Sequence, residues 1–148
     1  MALLAKKIDH DYVLFRINNW EERLSYLFSD IEQWANEVGK VEIRKIDVLQ
    51  AREELMQQFD VEPRKLSAIA ISFNKNRTSF VPMGLWVVGS NGRVNIKTNK
   101  DHYILVDMGE ESSVPSQWTV VNPSKRNQKI SFDKSTLTKL LNDEDIFL

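Results

Sequence analysis

Apolar and polar positions change their period along this chain. The first third repeats helically, and from Leu66 onward the pattern alternates as strands do. Trp20, Leu24, Leu27, Phe28, Ile31, Trp34, Ala35 and Val38 fall at i, i+4, i+7, i+8 and onward, which predicts one amphipathic helix over 20–38. Asn19 is placed to cap it, Glu22 to return the capping bond, and Gly39 to end it in the left-handed region. The opposite face carries Glu22, Ser25, Ser29, Asp30, Glu32, Gln33, Asn36 and Glu37. Residues 8–17 read as a short strand or an irregular lead-in.

Residues 41–48 begin as an alternating strand and slip phase between Ile43 and Ile46, which a bulge would accommodate. A second helix is expected over about 51–59, stopped by Pro63. Residues 66–73 read as a strand buried on both faces. A turn at Asn74-Lys75-Asn76 leads to a strand over 78–81, and Pro82 confines that end to an edge or a bend. Residues 85–88 and 93–97 read as a hairpin around Gly89-Ser90-Asn91-Gly92, because Asn-Gly supplies positive φ angles. Further strands are expected at 102–106, 118–121 and 129–132, with a polar loop over 110–115. Asp133 or Ser135 caps a last helix carrying Leu137, Leu140 and Leu141. The fold class that follows is α+β. A long amphipathic N-terminal helix and a second helix pack on a mostly antiparallel meander sheet, with a short C-terminal helix, in a single domain over residues 1–148.

Composition narrows the functional classes. With 148 residues, 42% hydrophobic and 28% charged, the chain has the make-up of an ordinary globular domain. No run approaches the ~18 apolar residues of a membrane helix. The apolar patch at the start precedes its lysines, the reverse of a secretory leader, so a cytoplasmic protein with an intact start is expected. The absence of cysteine excludes disulfides, Cys-ligated zinc, iron–sulfur clusters and thiol nucleophiles. With only His10 and His102 present, a His-rich metal site is excluded. No metal and no cofactor are expected.

Net charge is −1 and hides an asymmetry. Residues 19–62 hold eleven acids against five bases, and residues 63–140 hold twelve bases against five acids. An acidic first half therefore precedes a basic second half, and each suggests its own partner.

Candidate chemistry is sparse. Gly84, Gly89 and Gly92 precede a strand rather than a helix, so they read as turn residues and not as a phosphate cradle. Glu42, Asp47 and Asp107 lack the acid-x-lysine step of a metal-dependent nuclease. No serine sits in a Gly-x-Ser-x-Gly elbow. His10 beside Asp9 and Asp11, and His102 beside Asp101, are adjacent in sequence, which does not bring side chains together.

The reading that remains is a small non-enzymatic accessory module that docks to another macromolecule, in the manner of an immunity- or inhibitor-type protein. Its partner is expected to be another protein, met by Asp30, Glu32, Gln33 and Glu37 and by Phe147 in the C-terminal tail. The alternative is a nucleic-acid or anion surface on the strand rims, formed by Arg77, Arg93, Lys97, Lys100, Lys125 and Arg126, with Trp86, Tyr103 and Trp118 as stacking faces. A small enzyme with an unrecognised site is third. Homodimerisation through exposed edge strands near Pro82 is a further expectation.

Overall fold

The computed structural model describes residues 7–87, 90–109 and 116–147. Along the chain run α1 (His10–Val38), β1 (Glu42–Leu49), α2 (Glu54–Gln58), β2 (Lys65–Phe73) and β3 (Asn76–Gly84). β4 (Arg93–Lys97), β5 (His102–Asp107), β6 (Trp118–Asn122), β7 (Lys125–Ser131) and α3 (Lys134–Leu141) complete the order. Among the described residues the strands form one seven-stranded sheet, with every neighbour antiparallel and the spatial order equal to the chain order. The protein is α+β, a meander sheet carrying a long helix and a short one.

α1 starts ten residues earlier than the stripe at 20–38 suggests, so residues 10–17 are helix rather than the short strand or irregular lead-in expected there. The carboxylate of Asp9 accepts from the Tyr12 amide at 2.9 Å and caps the helix. Val13 and Ile17 then extend the Trp20–Leu24 stripe by two more turns and are fully buried. Asn19 is accordingly no cap. It lies inside the helix, where its side-chain oxygen accepts from Arg23 Nε at 2.7 Å. Glu22 likewise stands mid-helix. Gly39 is extended (φ 165°) rather than left-handed. Its lack of a side chain serves close approach instead, since a methyl there would stand 3.0 Å from the Phe73 ring.

Residues opposed across the sheet share a face. Ile69, Phe80, Ile96 and Tyr103 form one cross-strand row, and Val94, Leu105, Val120 and Ile130 another. Both rows join the core beneath α1 and α3. Thr78 on this face donates to the Leu140 carbonyl of α3 at 3.3 Å. Phe132 sits between Trp34 of α1 and Phe80 of β3, with ring centroids 5.8 and 5.9 Å away. The alternate row Arg44–Ala70–Ser79–Lys97–His102 points to the other, open side of the sheet.

Four strand expectations need correction. β1 pairs with β2 in unbroken register, so no bulge explains its phase slip. β1 is an edge strand with few buried positions, and its apolar residues are free to fall out of phase. β3 runs through Pro82 to Gly84 and pairs directly with β4, so residues 85–87 belong to a connection rather than to a strand of that hairpin. Pro82 lies past the last β2 partner, at Phe80, and beside a register shift, which is where a missing amide is tolerated. β3 is an interior strand, but its Pro82 end is paired only on the β4 side and is an edge over those few residues. The strands that are edges along their whole length are β1 and β7. β7 starts at Lys125, four residues before the expected strand, and α2 is a single short turn. The hairpin residues Val88 and Gly89, the loop 110–115 and Leu148 lie outside the described residues.

Candidate docking surfaces

The outward face of α1 presents Phe15 and Tyr26, each 56% exposed. Their spacing of eleven residues is close to three helical turns, so both lie on one line down the helix. Glu22, Asp30 and Gln33 are exposed beside that line. Phe15 escapes the sequence reading because residues 8–17 were read as non-helical. Tyr26 is visible as a helical residue outside the buried stripe, and that misplacement is the available signal.

The acidic candidates separate once they are placed. Asp30 and Gln33 are exposed. Glu32 pairs with Lys45 of β1 at 2.9 Å. Glu37 pairs with Lys134 of α3 at 2.8 Å. That ammonium holds the Glu37 carboxyl below its usual range, assisted by the Gln33 amide. These two acids therefore tie α1 to its neighbours. Phe147 is not a free tail residue. Its ring packs 5.8 Å from that of Tyr103, a buried phenol whose pKa desolvation raises to about 12.

The basic candidates separate as well. Arg77 and Lys97 are exposed on the open side of the sheet and line one groove with Ser79, Thr98 and Asn99. Arg93 shares that side, and its Nε donates to Asn95 at 3.0 Å. Lys100 is held to Asp145 at 3.4 Å. Lys125 and Arg126 stand exposed at the start of β7. Alternation brings Lys129, a basic residue of the second half, to the open side, and with it Arg44 and His102, which only the pairing register places there. The three aromatics proposed for stacking are elsewhere. Trp118 packs against Trp20 at 6.2 Å, Tyr103 lies in the helix-facing row, and Trp86 sits 5.9 Å from the Arg16 guanidinium.

A buried charged cluster joins α1 to the sheet. Arg23 Nη1 donates to Asp107 Oδ2 and to the Asn91 carbonyl, each at 2.7 Å, and both charged side chains are fully buried. Asp107 Oδ1 accepts from the amides of Gly109 and Gln117 at 2.9 and 3.1 Å. Burial lowers the Arg23 pKa from its ordinary value, and the bond to Asp107 opposes that shift. Gly92, at φ +138°, lies flat against the Trp20 ring. The cluster is enclosed, and both Asp107 oxygens, Arg23 Nε and Arg23 Nη1 are bonded, while the buried Arg23 Nη2 has no partner; its geometry is that of a structural lock. In a second lock, the Glu53 carboxylate accepts from the amides of Leu85 and Trp86 at 3.0–3.2 Å.

Neither histidine forms an acid–base pair in an enclosed site. His10 stands 3.6 Å from Asp11 with both side chains exposed, and His102 is exposed on the open sheet side. Among the described residues no group of three His, Asp or Glu side chains could hold a metal ion. A cleft of about 370 Å³ lies between α1 and β1–β2, with Glu21, Glu32, Lys45 and Lys65 on its walls. Among the described residues no helix is long and apolar enough to cross a membrane. No protein-family model, curated protein or solved structure matches the chain.

Proposed function

We propose that the protein is a non-enzymatic docking module whose outward α1 face receives a basic surface of another protein. The observation that carries this reading is the line of two half-exposed aromatics, Phe15 and Tyr26, on a rigid helix bordered by Glu22 and Asp30. A few anchor residues, Trp, Tyr and Arg prominent among them, supply most of the energy at protein interfaces, and flanking charge steers the encounter. The helix is held against the core over its full length, so docking costs it little ordering. An inhibitor- or immunity-type protein that covers a basic site on its target would present such a face. The test is capture of partners from the native cell by the intact chain and by Phe15→Ala/Tyr26→Ala and Asp30→Lys variants. A retained protein that elutes with salt and is lost from both variants, at unchanged melting temperature, supports the reading. Equal capture by all three refutes it.

A second reading is favoured by a separate observation. On the interior strands β2 to β6 the open-side rows carry Arg77, Arg93, Lys97 and His102 and no acid. An extended polyanion could lie across them through phosphate contacts alone, since the aromatics face the helices. Binding would then be insensitive to sequence and steeply salt-dependent. Arg77→Glu/Lys97→Glu should abolish retention of a labelled single-stranded oligonucleotide at low salt. Absence of retention by the unaltered chain removes this reading.

A further inference from the structure

The sheet is open, so among the described residues β1 and β7 each present an unpaired edge. The two edges differ. β7 reads Lys-Arg-Asn-Gln-Lys-Ile-Ser, three bases and no acid, so a second β7 laid beside it has no register in which a base meets an acid. β1 reads Glu-Ile-Arg-Lys-Ile-Asp-Val-Leu, two acids and two bases. It also exposes two large apolar side chains, Ile46 at 45% and Leu49 at 71%.

We propose that β1 pairs antiparallel with β1 of a second copy about a two-fold axis at Ile46, joining two sheets into one. A two-fold axis perpendicular to the sheet keeps each face on its own side. Opposed residues must therefore share a face, and the axis must pass through a residue. Centring on Arg44, Lys45 or Asp47 sets that charge against itself, centring on Ile43 sets Ile46 against Lys40, and centring on Val48 sets Ile46 against Gln50 and Leu49 against Asp47. Centring on Ile46 opposes Ile46 to Ile46, Lys45 to Asp47 twice, and Ile43 to Leu49 twice. This register gives both exposed apolar residues an apolar partner and sets Lys45 against Asp47, with Arg44 opposite Val48. Edge lysines ordinarily discourage such pairing; here Lys45 meets an acid. Lys45 also pairs with Glu32 at 2.9 Å, and its side chain, 60% exposed, leaves the ammonium open to a second carboxylate.

The test uses the full chain, which has no cysteine of its own. Mass by light scattering across a concentration series should show a dimer. Ile46→Lys opposes two lysines at the axis and should raise the dimer dissociation constant about tenfold or more. Lys45→Asp should weaken the dimer, and Lys45→Asp/Asp47→Lys should recover it, which no other register predicts. Ile46→Cys should form an intermolecular disulfide under mild oxidation, because directly opposed Cβ atoms lie about 4.5–5.5 Å apart, while Asn127→Cys on β7 should not. A monomer at every concentration overturns the proposal. A dimer indifferent to Ile46→Lys, or one cross-linked equally through Asn127→Cys, overturns it as well.

Discussion

Arg23 and Asp107 are the residues on which α1 and the sheet depend most sharply. An ion pair with no solvent exposure carries a large desolvation cost, offset in part here because Asn19 and the Asn91 carbonyl accept from Arg23 and the Gly109 and Gln117 amides donate to Asp107. Arg23→Met leaves Asp107 buried without its countercharge and should cost about 3–5 kcal/mol in urea unfolding. Arg23→Met with Asp107→Leu should cost less than the two single changes added together, because each alone strands a charge. Gly92→Ala combines a left-handed backbone with a methyl placed in the Trp20 ring, and should cost at least about 2 kcal/mol. Glu37 has a pH signature. Its carboxyl binds a proton less readily in the folded chain, so the contribution of the Lys134 contact is present at neutral pH and lost as pH falls through the acid range. In a carbon-detected titration Glu37 should ionise below an ordinary glutamate, and Lys134→Met should move it upward.

At the scale of elements, the strongly periodic segments were legible and the aperiodic joints were not. The stripe from Trp20 to Val38, the doubly buried β2 and the Asp133 cap of α3 all stand where periodicity and capping chemistry put them. The start of α1 was obscured because Tyr12, Phe15 and Arg16 blur the helical period. Arg16 is buried against Trp86, and Phe15 is exposed, each contrary to its type. Residues 85–87 read as hairpin strand in the sequence because Asn91-Gly92 carries the chemistry of a tight turn. Asn91 spends its polar groups on Asp107 and Gly109 instead, and Gly92 on Trp20. The true helix start can be checked. Asp9→Ala should cost about 1 kcal/mol and release the amide of Tyr12 to hydrogen exchange.

At the scale of the whole molecule, the division between an acidic first half and a basic second half becomes a division between sides. α1 carries its acids outward on one side, and the strands carry arginine and lysine on the other. That division was present in the sequence, but its geometry required the strand register, which alternation alone does not give. The surface aromatics Phe15 and Tyr26 add the apolar element that charge counting cannot show. Docking through α1 is most directly tested by a photo-crosslinking residue placed at Tyr26 in the native cell, compared with one at Ser72 on the open side of the sheet. Docking of a basic protein on α1 predicts a discrete protein adduct at position 26, lost with Asp30→Lys, and none at position 72. Adducts that form only at position 72, or nucleic acid in place of protein, would contradict it.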